Sequence, residues 1–295
     1  MCYNSGKLVK QRINMIKTKR KKRAKMIIYI SIVVVIFMFI FWNQPVYRNY
    51  TITSEKINNG FTIVQISDLH STTYGKNQKR LIDKIDKANP DIILLTGDIV
   101  DDIEDEENAY ILMEDLVAKY PLYYVDGNHE VWHDETEKVY EEIRKIGVTI
   151  LENTYETIFI NGDEIILAGI MDPSERKAKA KTTNVINKLE KTGLASLESD
   201  LFTILLTHRP EYFDLYEQYP LDLVLAGHAH GGQVRIPFLV NGLYAPDQGY
   251  KPDHAGGYYT QETYEMIVSR GLSLNPNLPR VFNPPEVVVI RVNGG

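Results

Sequence analysis

Five short polar motifs, each rich in metal-binding residue types, follow one another along the chain. They are Asp68-Leu69-His70, Gly97-Asp98, Gly127-Asn128-His129-Glu130, His208 and Gly227-His228-Ala229-His230. Carboxylate, amide and imidazole groups supply the oxygen and nitrogen ligands that divalent metal ions bind. Two such ions roughly 3.5–4 Å apart can bind a phosphoryl group between them and lower the pKa of a bound water. The motifs therefore indicate metal-dependent hydrolysis.

Each motif follows a short apolar run of the kind that forms a buried strand. The runs FTIVQIS, DIILLTG, PLYYVDG, LFTILLT and DLVLAG lead into Asp68, Asp98, Asn128, His208 and His228, in that order. Runs rich in Ile, Val, Leu and Tyr that end in Gly or polar residues are typical of strands in an α/β protein. Since such sheets gather polar residues at the carboxyl ends of their strands, we expect the motifs to share one crevice.

The order of the motifs resembles the pattern of the calcineurin-like metallophosphoesterase superfamily: D-x-H, GD, GNH-D/E, a lone His and GHxH. All five blocks occur between Asp68 and His230. The resemblance implies an α/β fold, a four-layer α/β/β/α sandwich of two mixed sheets flanked by helices. It also implies hydrolysis of phosphodiester or phosphomonoester bonds through attack by a metal-bound hydroxide.

The resemblance further implies two groups of metal ligands that share one carboxylate. One metal would be held by Asp68, His70, Asp98 and His230. The other would be held by Asp98, Asn128, His208 and His228. His129 would lie above the two ions and either give a proton to the leaving oxygen or stabilise charge on the phosphoryl group. Glu130 would orient its ring or stabilise its charge. Mn²⁺ is the expected metal, with Fe or Zn²⁺ as alternatives, and the absence of thiolate ligands disfavours a structural zinc site.

The loop-rich segment after His230 leaves the substrate open. Its HGGQ and SRGL stretches resemble a membrane-anchored bacterial branch that includes UDP-2,3-diacylglucosamine pyrophosphatase-like phosphohydrolases. Hydrolysis of a lipid-linked nucleotide pyrophosphate is therefore an alternative to a simple ester or a wall-linked substrate, and a non-catalytic metal-binding scaffold is a third reading. Arg235, Arg270 and Arg280 are candidate substrate phosphate contacts, although a structural salt bridge is the simpler interpretation of each one alone.

The N-terminal region predicts a membrane anchor. Residues 26–42 contain no charge, Gly or Pro, and a helix of this length is about 25 Å long, near the lower limit for crossing a bilayer. Residues 1–25 carry ten Lys or Arg and no acid, so the positive-inside rule predicts a cytoplasmic N-terminus and a catalytic domain outside the cytoplasm. The expected order is a basic tail, this single-pass anchor in the cell membrane, a tether at 43–60 and a metallophosphoesterase domain at 61–295. A cleaved signal peptide is the rival interpretation.

Charge excludes one class of partner. The whole chain has a net charge of −6, but the part after residue 48 carries 22 basic and 39 acidic residues. An acidic surface of this kind argues against binding to duplex nucleic acid, which requires a basic footprint.

The acidic run at 101–107 is expected to be a solvated loop. Asp172 also ends an apolar run, and we expect it either to brace the site or to lie in a turn before Pro173.

Overall fold

The structure is a computed structural model that describes residues 5–175, 178, 180–274 and 278–295. The described chain divides into the units Met1–Trp42 and Asn43–Gly295. Its α-helices are α1 (Ser5–Ile40), α2 (Lys79–Ala88), α3 (Glu107–Val117), α4 (Asn128–Trp132), α5 (Thr136–Ile146), α6 (Thr182–Thr192) and α7 (Phe213–Tyr216).

The described strands begin with β1 (Val46–Ser54), β2 (Phe61–Ile66), β3 (Ile92–Thr96), β4 (Leu122–Val125), β5 (Thr149–Ile150), β6 (Thr154–Ile160) and β7 (Asp163–Gly169). They continue with β8 (Phe202–Leu206), β9 (Leu223–Ala226), β10 (Tyr244–Ala245), β11 (Gly249–Tyr250), β12 (Gly257–Thr260), β13 (Glu265–Val268) and β14 (Glu286–Gly294).

The N-terminal unit does not contain the predicted membrane anchor. Helix α1 ends at Ile40, so the uncharged part of the apolar run within the helix is residues 26–40. Among the described residues, no helix combines the length and the apolar character that a membrane span requires. The predicted transmembrane helix, and the single-pass location with an extracytoplasmic domain that depended on it, are therefore wrong.

Within the described residues, the larger unit contains two mixed sheets. The first has the strand order β1-β14-β2-β3-β4-β5, in which β2 to β5 run parallel and β14 is antiparallel to β2. The second has the order β12-β13-β9-β8-β7-β6, in which β7, β8, β9 and β13 are parallel and the two edge strands are antiparallel. Parallel neighbours place several carboxyl ends along the same edge of each sheet, which is where the polar motifs begin.

Alternation along the strands decides which layers pack together. In β2, Ile63 faces a cluster shared with residues of the second sheet such as Ile204, whereas its neighbour Val64 faces a cluster shared with α2, α3 and α5. In β8, Leu205 faces away from the first sheet and packs with Val185 of α6. Because successive side chains of a strand point to opposite faces, each sheet buries one face on the other sheet and one on helices.

The segment expected to be a tether, residues 43–60, contains strand β1. This strand pairs in parallel with β14 along its whole length, from Val46 opposite Glu286 to Ser54 opposite Gly294. The sequence VYRNYTITS is rich in Tyr, Thr, Val and Ile, which favour a pleated and half-buried strand. The first sheet therefore extends to residues before the predicted start of the catalytic domain at 61.

A buried carboxylate at the start of β7 connects the two sheets. Asp163 accepts hydrogen bonds from the backbone N–H groups of Asn58, Asn59 and Gly60 at 2.8, 2.9 and 3.0 Å. These three residues form the turn between β1 and β2 in the first sheet. Burial opposes ionisation of this carboxyl group, but the three N–H groups hold the pKa of Asp163 below its usual value.

We predict that Asp163→Ala lowers the free energy of unfolding at pH 7 by about 2 kcal/mol, because the three N–H groups lose their acceptor. Since the folded pKa lies below the unfolded value of 3.8, this contribution is present above that pH and shrinks as the pH falls through the folded value. Urea unfolding at pH 7 and at acidic pH measures both effects, with the exposed neighbour Glu164→Ala as the control. Equal stability of Asp163→Ala and the wild type at pH 7 would contradict the prediction.

Candidate metal centre

The predicted site residues lie just beyond the carboxyl ends of parallel strands from both sheets. Asp68 follows β2, Asp98 follows β3 and Asn128 begins α4 after β4 in the first sheet. His208 follows β8 and His228 follows β9 in the second sheet. Two strand edges thus supply one cluster of polar side chains.

An unusual backbone conformation directs several of these side chains. Asp68, His70, Asp98, His228 and His230 have φ values of 50°, 46°, 52°, 67° and 47°. Non-glycine residues rarely adopt this left-handed region, and such strain is found mainly where the surrounding structure imposes it, as at functional sites. The chain therefore turns sharply where each strand ends, and this turn brings side chains together that a regular strand would separate.

The ligand atoms form two groups that share Asp98. In the first group, the ligand atoms of Asp68, His70, Asp98 and His230 lie within 4.8 Å of one another. In the second group, the same limit holds for Asp98, His208 and His228. One oxygen of the shared carboxylate, Asp98 Oδ2, lies 3.5 Å from His70 Nε2 and 3.1 Å from His208 Nε2. Asp98 thus stands between the two groups, as a bridging ligand must.

The outer nitrogens of two histidines fix which nitrogen faces inwards. His70 Nδ1 lies 2.8 Å from Asp101 Oδ2, and His208 Nδ1 lies 2.7 Å from the carbonyl oxygen of Thr96. In the neutral form of each ring, Nδ1 therefore carries the proton, which leaves the lone pair on Nε2. Both Nε2 atoms and Asp68 Oδ2 are buried and form no hydrogen bond with any described residue. Buried acceptor atoms left in this state fit a divalent cation.

The charge of the site also favours cations. Burial raises the pKa of Asp68, and the neighbouring Asp98 carboxylate raises it further. Burial opposes ionisation of Asp98 as well, but His208, His129 and His70 hold the pKa of Asp98 well below its usual value. Burial lowers the pKa of His208, and Asp98 outweighs that effect and raises it to about 10. The two buried carboxylates therefore stabilise positive charge in the site, either on His208 or on a bound cation.

His129 lies at the edge of the cluster, and its side chain is 26% exposed. Its Nδ1 lies 2.6 Å from Asp102 Oδ1 and 3.4 Å from Asp101 Oδ2, and its ring meets the His70 ring edge-on at 4.3 Å between centroids. Asp101 and Asp102 were expected to belong to a solvated acidic loop, and for these two residues that expectation is wrong. They contact imidazoles because the loop turns back over the site directly after the Asp98 strand.

Glu130, predicted to orient His129, contacts the backbone instead. Its carboxylate accepts hydrogen bonds from the N–H groups of Asp98, Ile99, Val100 and Gly127, at 2.9, 2.7, 2.9 and 2.8 Å. A buried carboxylate with four N–H donors holds the loop after β3 against the loop after β4. The position of Asp98 relative to Asn128 therefore depends on Glu130.

A buried arginine that the sequence analysis missed contacts the second group. Arg209 binds Asp172 through Nε and Nη2, at 2.5 and 3.0 Å, and Ser174 through Nη2 at 2.6 Å. Its Nη1 lies 2.7 Å from His228 Nε2 and 2.5 Å from Asp247 Oδ2. Burial disfavours its charge, but Asp172 outweighs that and raises the pKa of Arg209. Asp172, expected to brace the site or to lie in a turn, acts here through Arg209. The sequence signal that could have identified Arg209 was its position directly after the motif residue His208.

The three arginines proposed as phosphate contacts are engaged elsewhere. Arg270 pairs with Glu286 at 3.2 Å, and Arg280 donates to the carbonyl oxygens of Ser273 and Arg270 at 2.8 and 2.7 Å. Both are buried. Arg235 donates to a carbonyl oxygen within its own loop. These contacts favour the structural interpretation of each arginine.

We predict that Glu130→Gln lowers the free energy of unfolding by about 3 kcal/mol, because an amide accepts fewer N–H bonds and leaves buried donors unpaired. Urea unfolding in the presence of EDTA measures the effect without any contribution from bound metal. The exposed Glu137→Gln on α5 is the matched control and is expected to change stability by less than about 0.5 kcal/mol. A Glu130→Gln protein as stable as the wild type would show that these four hydrogen bonds do not hold the loops together.

Comparison with known proteins agrees with the geometry. Residues 61–232 match the family model of the calcineurin-like phosphoesterases. The chain is 32% identical over 250 residues to the uncharacterized metallophosphoesterase YkuE of Bacillus subtilis, which covers 81% of this chain and 82% of that protein. It is 31% identical over 263 residues to the uncharacterized metallophosphoesterase Cj0846 of Campylobacter jejuni, covering 85% of this chain and 64% of that protein.

A third relative has a named substrate. The chain is 24% identical over 275 residues to the UDP-2,3-diacylglucosamine pyrophosphatase LpxG of Chlamydia muridarum, covering 79% of this chain and 83% of that protein. The family match spans more than half of the chain, and the similarity to YkuE extends over most of both proteins. The chain therefore belongs to the calcineurin-like phosphoesterase family and is a hydrolase of phosphate ester bonds.

Proposed function

We propose that the protein is a dinuclear metal-dependent phosphoesterase that hydrolyses phosphodiester or phosphomonoester bonds. The observation that supports it best is the pair of ligand groups that share the Asp98 carboxylate. The first metal position would use Asp68, His70, Asp98 and His230. The second metal position would use Asp98, Asn128, His208 and His228. The orphaned, buried nitrogens of His70 and His208 support the same assignment.

Divalent ions at these positions would stabilise charge on phosphoryl oxygens and lower the pKa of water, so that a nucleophile exists at neutral pH. Mn²⁺ is the metal we propose, with Fe or Zn²⁺ as alternatives, because the donors are oxygen and imidazole nitrogen without a thiolate. The ligand side chains would hold the two ions at the rim where both sheets end, and the ions would bind the phosphoryl group there.

His129 is the residue we propose to protonate the leaving oxygen. Its Nδ1 contacts Asp102 at 2.6 Å, so the carboxylate fixes the ring and favours a proton on that nitrogen. In the imidazolium form the ring carries a second proton on Nε2, and the partly exposed edge of the ring presents that proton to the leaving oxygen. The backbone N–H of His129 donates to Asp98 Oδ1 at 2.9 Å. This bond fixes the position of the proposed acid relative to the proposed bridging ligand.

A second candidate activity is hydrolysis of a lipid-linked nucleotide pyrophosphate. The observation that favours it is the similarity to the pyrophosphatase LpxG, which extends over 79% of this chain. Pyrophosphate and phosphodiester cleavage both require a nucleophile and two stabilised phosphoryl oxygens, so the same metal ligands serve either reaction. The two candidates therefore differ in the substrate that the protein accepts.

We predict that Mn²⁺ supports hydrolysis of bis(p-nitrophenyl) phosphate or p-nitrophenyl phosphate, and that EDTA or Asp98→Asn abolishes it. The exposed Asp200→Asn serves as the matched control and keeps full activity. UDP-2,3-diacylglucosamine is assayed in parallel, and a strong preference for it would favour the second candidate. Unchanged turnover in Asp98→Asn, or in the presence of EDTA, would contradict the proposed metal-dependent mechanism.

We predict that His129→Ala lowers kcat by about 10²- to 10⁴-fold, because the leaving oxygen loses its proton donor. The bound Mn²⁺ content is expected to stay at the wild-type value, since His129 is not among the proposed ligands. A substrate with a p-nitrophenolate leaving group, which needs little protonation, is expected to lose less than an alkyl phosphate ester. A variant that keeps both its metal and its full kcat on the alkyl ester would exclude the acid role.

A further inference from the structure

One ring nitrogen of His228 contacts two groups with opposite requirements. His228 Nε2 lies 2.7 Å from Arg209 Nη1 and 3.2 Å from Asp247 Oδ2. The two partners also contact each other, because Arg209 Nη1 lies 2.5 Å from Asp247 Oδ2. The guanidinium only donates hydrogen bonds, whereas the carboxylate only accepts them.

These contacts correspond to two tautomers of a neutral His228. If Nε2 accepts a hydrogen bond from Arg209, the proton lies on Nδ1, and that nitrogen has no lone pair for a metal. If Nε2 carries the proton and donates a hydrogen bond to Asp247, the lone pair lies on Nδ1 and can bind a metal. Arg209 and Asp247 therefore favour different tautomers of the same ring.

The two partners are held by different parts of the fold. Arg209 is fixed, because Asp172 and Ser174 bind its other nitrogens. Asp247 lies in the turn between β10 and β11, with φ of 59°, outside the residues that match the family model. This short hairpin thus brings a carboxylate to the second metal position from outside the matched region.

A third metal position does not explain the arrangement. Ligand atoms of Glu211, His228 and Asp247 lie within 4.8 Å of one another, as they do in the two metal positions. The Arg209 guanidinium, however, contacts all three, at 3.5 Å from Glu211 and at the distances given above. A fixed positive charge among these groups opposes a further cation there.

We propose that Asp247 is a positioning residue that accepts a hydrogen bond from the Nε2–H of His228 and so leaves the lone pair of Nδ1 for the second metal position. Arg209 opposes this state, so filling the second position requires His228 to exchange one partner for the other. The inference rests on the proposed two-metal function and assigns a role to a residue beyond its ligands. Without Asp247, His228 Nε2 would accept a hydrogen bond from Arg209 and the proton would stay on Nδ1. The metal affinity of the second position alone would then fall.

The test is Mn²⁺ binding to the full chain, measured by calorimetry, for the wild type, Asp247→Ala and Asp247→Asn. Loss of a hydrogen-bond partner of a metal-binding histidine typically costs 10- to 100-fold in metal affinity, so Asp247→Ala is expected to weaken the second ion by that factor and leave the first unchanged. Asp247→Asn is expected to lose less, because its amide oxygen still accepts the bond. The exposed Asp253→Ala, from the same loop region, is the control and is expected to bind both ions as the wild type does.

Nitrogen NMR of the protein loaded with Zn²⁺ gives a second readout, with a His228→Ala spectrum to assign the signal. We expect the proton on Nε2 in the wild type. Wild-type affinity for both ions in Asp247→Ala, an equal loss of both ions, or a proton on Nδ1 would overturn the inference while the two-metal function stands. A wild-type chain that binds fewer than two ions would contradict the proposed function itself, and the inference with it.

Discussion

The carboxylate of Glu130 is the contact on which the arrangement of the metal centre depends. Asp98 adopts a φ of 52°, a conformation that costs a non-glycine residue free energy. Glu130 offsets that cost by accepting hydrogen bonds from three consecutive N–H groups of the Asp98 loop and from Gly127. The same bonds fix the start of α4, which presents Asn128. A buried carboxylate that binds backbone N–H groups therefore sets the geometry of the groups that we propose to bind metal.

Around this contact, each histidine of the cluster is oriented by a neighbour of different chemistry. A carboxylate contacts His70, a backbone carbonyl contacts His208, and a hydroxyl contacts His230. His228 differs, because its outer nitrogen meets both a guanidinium and a carboxylate. The two metal positions that we propose thus differ in how their histidines are oriented. Within the described residues, only in the second does one histidine, His228, have two competing hydrogen-bond partners.

Much of the site could be predicted from sequence because its residues are local to strand ends. Apolar runs predicted the strands, and the mixed sheets bring their polar ends together. The partners of these residues could not be predicted in the same way. Asp247 and Arg209 meet across 38 positions, and nothing in the composition of either segment indicates the contact. Asp101 looked like part of a solvated acidic run, because composition cannot distinguish a carboxylate that faces water from one that faces an imidazole.

The N-terminal error has a different cause. The prediction depended on one apolar run of 17 residues, near the lower limit of length for a span, and no described helix meets both the length and the apolar requirement. Residues 43–60 were expected to be a tether, and strand β1 within them was missed because it pairs with β14, a segment from the opposite end of the chain.

The most direct test of the central claim is a crystal structure of the Mn²⁺-loaded protein with anomalous diffraction data. We expect two anomalous peaks roughly 3.5–4 Å apart, both within coordination distance of the Asp98 carboxylate. The outer nitrogens of the four histidines are expected to keep their present partners, apart from the exchange at His228. A single peak at full metal loading, or two peaks that do not share Asp98, would contradict the dinuclear site.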